Sequence, residues 1–239
     1  MVKKLAMLAL LFPSLLMGQM VMTGHNRKVW GSPVVTYVTG NGAVANAVTL
    51  TGGSAGGLIV CSAHWSSTNP GSTATMSDGT NSLTLLSTTH LNNTLNYFGD
   101  VFYTLSATSG SKTYTVTATN SPMGIEVACM DFHTSSGSWH LDSSNSASAY
   151  SASSDSGAIT TTGSAEVVVL TGKLSDVAAT TSNPLINGQT PAEPSWSPVA
   201  TYDHYYYKLF TAPFTAGHGT RTYSGATNWN AEISAFYAQ

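Results

Sequence analysis

Residues 57–65, GLIVCSAHW, decide the fold. The odd positions Ile59, Cys61, Ala63 and Trp65 are all apolar. The even positions begin apolar with Leu58 and Val60 and turn polar with Ser62 and His64. Period-two alternation marks a strand with one face on a core. The apolar start of the second face implies that one end is covered on both sides. Such a strand is central in an all-β domain.

The flanking segments fit this. Residues 34–38 and 45–51 read as strands rich in Val and Thr, split by Gly40-Asn41-Gly42, and TGGSAGG at 51–57 turns the chain into the central strand. Short strands at 73–77 and 82–87 flank Asp78-Gly79, a hairpin-type turn. Residues 97–105 and 112–119 bracket Ser109-Gly110 and read as a hairpin, with Tyr114, Val116 and Ala118 inward and Thr113, Thr115, Thr117 and Thr119 outward. Residues 124–132 form another core strand, 133–144 a polar loop, and 145–156 a loop or edge strand. Residues 165–171 form a buried strand. A long connection, 172–200, carries Pro184, Pro191, Pro194 and Pro198. Residues 202–210 return to strand. In the closing strand 229–237, Trp229, Ala231, Ile233, Ala235 and Tyr237 are expected inward, and Asn230, Glu232 and Ser234 outward. No window has helical periodicity. The pattern predicts an all-β, antiparallel β-sandwich, jelly-roll-like in winding.

Hydrophobic residues make up 42% of the 239-residue chain and charged residues only 8%, which suits a folded domain with hydroxyl-covered faces. Lys3 and Lys4, the apolar run 5–17 and the small Gly18 read as a signal peptide over 1–18, with a tethering helix as the alternative. No cysteine follows the run to suggest a lipid anchor, and no later run reaches membrane length. Residues 19–31 form an irregular lead-in and 32–239 a single β-sandwich domain. The net charge is −3; without Lys3 and Lys4 it is −5, six basic against 11 acidic residues, which excludes a phosphate-neutralising patch and nucleic acid as partner. Secretion or a cell-surface setting leaves two options for Cys61 and Cys129: a disulfide if their strands are neighbours, or two buried thiols. An immunoglobulin assignment fails, because the Trp expected after Cys61 and the Tyr expected before Cys129 are missing.

The G-L-I-V-x-x-x-x-W run at 57–65, the Asp78-Gly79-Thr80-Asn81 turn, Asp131-Phe132 followed by Leu141-Asp142, and the ending Trp229-x-x-x-Ile233-x-Ala235-Phe236 together resemble a widespread, mostly uncharacterised β-sandwich module of exported bacterial proteins. The resemblance spans about 42–237. It implies an antiparallel sandwich in a surface or secreted setting and supplies no catalytic residues. The cysteine pair, and a domain standing nearly alone behind its leader, depart from it.

Four constellations carry candidate chemistry. Gly52-x-Ser54-x-Gly56 matches the nucleophile elbow of serine hydrolases, but that elbow needs a helix after the serine and here a strand follows. Glu126, Glu166 and Glu232 sit mid-strand, and two of them meeting across a cleft would serve glycoside hydrolysis; solvated outer-face glutamates are the expectation. The seven histidines lack zinc-protease spacing. Asp131, His133, His140 and Asp142 cluster in sequence, and Asp131 and Asp142 are candidate calcium ligands; otherwise no cofactor is implied. Trp196, Tyr202 and Tyr205, with Trp139 as a second candidate, offer flat apolar rings beside polar groups, as sugar binding requires; tyrosines filling the sandwich are the alternative.

The sequence therefore points to a secreted, non-catalytic β-sandwich binding glycan or surface polymer through Trp196, Tyr202, Tyr205 and Trp139. The alternatives are a structural or adhesive subunit that self-associates through sheet edges and hydroxyl-rich faces, and a glycoside hydrolase-like enzyme.

Overall fold

Strand β3 (Leu58–Ser67) lies at the centre of a five-stranded antiparallel sheet, and nine of its ten residues are buried. The computed structural model describes residues 33–91, 96–175, 179–197, 199 and 203–239; the leader and lead-in expected over 1–31 lie outside the described residues. Around β3 the order is β1 (Val35–Ala43), β8 (Met123–Thr134), β3, β6 (Asn96–Thr104), β5 (Thr84–Leu91). This middle sheet is covered on both faces.

One face carries Ile59, Cys61, Ala63 and Trp65 from β3, Val127 and Cys129 from β8, and Phe98 and Phe102 from β6. It packs on a three-stranded outer sheet of β2 (Ala47–Gly53), β7 (Gly110–Ala118) and β4 (Ala74–Ser77), in the order β2-β7-β4. Val48, Leu50, Met76, Tyr114 and Val116 fill that interface. The other face carries Leu58, Val60, Ala128, Met130, Phe132 and Val101. It packs on the C-terminal sheet: β9 (Trp139–Ile159), β10 (Glu166–Lys173), β11 (Thr181–Ile186), β12 (Asp203–Phe210) and β13 (Gly217–Ala238). Here Val167, Val169, Tyr205 and Phe236 meet the middle sheet. The first half of β13 pairs with β11 and the second half with β10, while β9 runs along both halves. The sheet thereby folds over itself, enclosing Ile159, Val168, Leu170, Ile186 and Ile233.

The all-β antiparallel sandwich read from the sequence is what the chain forms, with 70% of the described residues in strands. Its layers are three sheets, and their strand order does not establish a jelly roll. Local pairing differs from expectation at four places. β6 and β7 are not a hairpin: β6 belongs to the middle sheet and β7 to the outer one. The five residues between them exceed a two-residue hairpin turn, and Tyr114 and Val116 of β7 pack down on the middle sheet instead. The polar loop expected up to 144 ends at Trp139, where a 21-residue edge strand, β9, begins; over 145–156 it takes the edge-strand option. The long connection contains β11. Asn230, Glu232 and Ser234 of β13 are not outward; they face the middle sheet and are buried.

Cys61 and Cys129 are register partners on β3 and β8 and form a disulfide, with Cα atoms 4.0 Å apart. This resolves the two options in favour of the bridge, and it closes a sequence separation of 68 residues. Reduction, or Cys61→Ala with Cys129→Ala, is expected to lower unfolding free energy by about 2–4 kcal/mol. A denaturant midpoint unchanged by reduction would contradict this.

Candidate functional site

The two faces that meet between the middle and C-terminal sheets both change character along their length. On β3 the residues turned to the C-terminal sheet run Leu58, Val60, Ser62, His64. Across from them, β8 runs Phe132, Met130, Ala128, Glu126, and Gly99 of β6 pairs with His64. On the facing sheet β10 runs Val167, Val169, Thr171, Lys173; β12 runs Tyr207, Tyr205, Asp203; β13 runs Phe236, Ser234, Glu232, Asn230. Each strand is apolar at one end of the sandwich and polar at the other. The polar ends coincide and make a buried acid–base layer.

His64 is its hub, with no exposed surface. Its Nδ1 lies 3.2 Å from Asp203 Oδ2, its Nε2 is 3.8 Å from Glu232 Oε2, and Ser62 Oγ is 3.3 Å from Nε2. Glu232 also accepts hydrogen bonds from the hydroxyls of Thr89 and Thr171. Lys173 Nζ donates to Glu126 Oε2 at 3.1 Å and stands 4.0 Å from Asp203 Oδ2. Asn230 Oδ1 accepts the Lys173 backbone N–H at 2.6 Å. Space for this convergence comes from Gly99, where a Cβ would stand 2.6 Å from both Asn230 Nδ2 and Glu232 Oε1.

Burial sets the protonation. Burial pushes the Glu126 carboxyl up to about 8, and the neighbouring Asp203 carboxylate adds to this, so Glu126 keeps its proton and donates it to Asp203. Burial alone would depress His64, but the Asp203 and Glu232 carboxylates outweigh it and hold the imidazole at about 9. Burial opposes ionisation of Asp203, yet His64 and Lys173 together keep its carboxyl well below the usual range. Lys173, despite desolvation, is raised by Asp203 and Glu126. Neither Asp203 oxygen has a hydrogen-bond donor in line from a nitrogen or hydroxyl, which the Glu126 proton remedies. On the opposite face of the middle sheet, burial raises Asp100 to about 6. A second carboxyl pair, Glu166 with Asp142, lies away from this layer: burial first and Asp142 second raise Glu166 to about 7.

A cleft lined by Leu91, Tyr97, Lys173, Ser175, Trp229 and Asn230 reaches the Lys173 edge of the layer. Its volume is about 10 Å³, room for a single water.

Of the residues expected to bind sugar, those described are not assembled into an open platform. Tyr205 has no exposed surface and Trp139 only 3%; both belong to the core between the two sheets, because their strands turn those positions inward. Trp196 is half-buried, its indole N–H donating to Tyr37 Oη at 3.2 Å and its ring 5.4 Å from that of Tyr205. It lies over the strand at Gly40 and Gly42, where an added Cβ would stand 2.8 Å from its Nε1 and 3.1 Å from its Cε3, respectively. Tyr202 lies outside the described residues. Asp131 is buried in the middle sheet and accepts the Ser54 N–H at 2.9 Å, whereas Asp142, in the C-terminal sheet, accepts the Thr162 hydroxyl at 2.9 Å. Among the described residues no group of three His, Cys, Asp or Glu side chains is placed to hold a metal ion. Ser54 lies in the turn between strands β2 and β3. Glu126, Glu166 and Glu232, expected at the solvated face, are all buried. The sequence signal for the layer was the polar half of the second face of β3, Ser62 and His64.

Comparison of the chain with family models, with curated proteins and with solved structures finds no match in any of the three.

The layer makes stability pH-dependent with a defined sign. His64 and Glu126 hold protons more tightly folded than unfolded, so their stabilisation is complete below their unfolded values and is lost as pH rises through about 9 and about 8. Asp100 and Glu166 act likewise through about 6 and about 7. Asp203 has the opposite sign, and its contribution is lost as pH falls below the ordinary carboxylate range. Unfolding free energy is expected to peak near about pH 4–5 and to decline steadily to pH 9. His64→Gln should remove the part of that decline between about pH 8 and 9 while lowering stability by about 3–5 kcal/mol at neutral pH, since it leaves Asp203 without its principal cation. Denaturant titrations from pH 4 to 9 test this, and a flat or rising profile would refute it.

Proposed function

We propose that this chain is a non-catalytic, exported β-sandwich protein acting through its outer surfaces as a structural or adhesive subunit. The observation that carries this reading is the division of chemistry between inside and outside. The acid–base residues are enclosed, and the cleft that approaches them has room for one water rather than a substrate. The exposed face of β2-β7-β4 instead presents Thr49, Thr73, Thr75, Thr113, Thr117 and Thr119. Cross-strand hydroxyl contacts join Thr49 to Thr113 at 2.8 Å and Thr73 to Thr119 at 3.3 Å. A hydroxyl-covered face of this kind can form many weak, water-tolerant contacts with a like surface. The disulfide supports an oxidising compartment. No helix among the described residues is long and apolar enough to cross a membrane.

Glycan binding is the second reading, and Trp196 favours it. That ring retains exposed surface beside a hydrogen-bonded series in which Ser197 Oγ donates to Glu193 and His204 Nδ1 lies 3.0 Å from the same oxygen. Polar groups at the edge of an aromatic face suit a sugar ring.

Sedimentation velocity over a wide concentration range separates the two. The structural reading expects reversible self-association, weakened at least tenfold by Thr113→Lys with Thr117→Lys. A monomer at every concentration, together with glycan-array binding abolished by Trp196→Ala in a folded protein, would replace it with the second.

A further inference from the structure

Lys173 and Glu126 meet across the interface between two sheets, and their contact has the composition of an unfinished amide. Lys173 is on β10 of the C-terminal sheet and Glu126 on β8 of the middle sheet. Their side chains are 10% and 8% exposed, with Nζ 3.1 Å from Oε2. A third group completes the set. Asp203 is the register partner of Lys173 on β12, lies 4.0 Å from Nζ, and is wholly buried. Its Oδ1 has no hydrogen-bond partner other than what Glu126 can donate.

We propose that Lys173 and Glu126 condense to an intramolecular amide, a covalent bridge between the middle and C-terminal sheets formed by the folded chain itself. The Lys173 ammonium passes one proton to the Asp203 carboxylate. The freed lone pair on Nζ attacks Cδ of the protonated Glu126 carboxyl, forming the C–N bond. The C–O bond to one carboxyl oxygen then breaks. That oxygen leaves as water, carrying the carboxyl proton and a second proton from Nζ, and the third proton stays on the amide nitrogen. Asp203 ends protonated and the charge of the group is zero before and after. No oxidant, reductant or activated intermediate is required.

Three features of the site favour condensation over a persistent ion pair. The sheets hold amine and acid in contact, which replaces a bimolecular encounter with an intramolecular one. Burial keeps Glu126 in its protonated, electrophilic form. Amide formation in water is opposed by the solvent, and the side chains of this layer are almost wholly buried from it. The single-water cleft, lined by Lys173 itself, is an exit for the molecule released. An amide also removes the cost of keeping the Lys173 charge out of solvent. The inference stands on the geometry of these three residues, independently of what the outer surfaces bind.

Mass spectrometry of the reduced, denatured full chain tests it directly. The expected result is a mass one water below that of the sequence, with a branched peptide joining the Lys173 and Glu126 segments and no tryptic cleavage after Lys173. Lys173→Arg and Glu126→Ala should each restore the full mass. Asp203→Asn, checked for fold by circular dichroism, should leave the amide unformed or form it at least tenfold more slowly. A wild-type chain of full mass with cleavage after Lys173 overturns the proposal whether or not any variant folds. A water loss mapped elsewhere, such as Asp78-Gly79, overturns it equally. An Asp203→Asn chain that condenses at the wild-type rate removes the proton-carrying role given to Asp203.

Discussion

A sheet covered on both faces has no solvated side to which a polar residue can turn. Every polar group on the middle sheet must therefore be met by a charge or by a hydrogen bond from an adjoining layer. His64 and Glu126 obey this by meeting Asp203, Glu232 and Lys173 of the C-terminal sheet. The rest of the architecture follows: Gly99 leaves the gap into which Glu232 and Asn230 reach, and Thr89 and Thr171 supply the remaining hydrogen bonds.

The acid–base layer also fixes how the two sheets sit on one another. Valine, alanine and phenylalanine surfaces such as those around Val60, Val167 and Phe236 tolerate several offsets of similar packing quality. Ionic partners do not. Shifting the middle sheet by one pair of residues would place Ser62 where His64 stands and leave Asp203 with a single distant cation. Hydrophobic burial drives the sheets together, and the charges at one end select the alignment.

Most of the fold class was legible because period two is a local signal, and β3 shows it without ambiguity. The partnership of sheets was not legible, since alternation says which residues share a face and nothing about which layer that face meets. Residues 97–119 illustrate this: both strands exist, but the loop between them passes from one sheet to another. The same gap hid the site. Asn230, Glu232 and Ser234 look like the solvent side of an amphipathic strand, and only the presence of another polar face opposite explains their burial. Tyr205 and Trp139 run in the other direction: flat rings that could have faced a sugar are spent on the core. The hint available was the pairing of Ser62 and His64 on a strand otherwise apolar on both faces.

The disulfide has a mechanical consequence. It joins neighbouring strands at the centre of the middle sheet and closes 68 residues of chain between its ends. If the protein is pulled by its termini, the load crosses from one strand to the next through the sulfur atoms, and everything between Cys61 and Cys129 is bypassed. About 230 Å of contour length, at about 3.4 Å per residue, is thus withheld from extension. About a third of the described residues, including the whole three-stranded outer sheet apart from β2, stays slack while β1, β2 and the C-terminal sheet bear the strain.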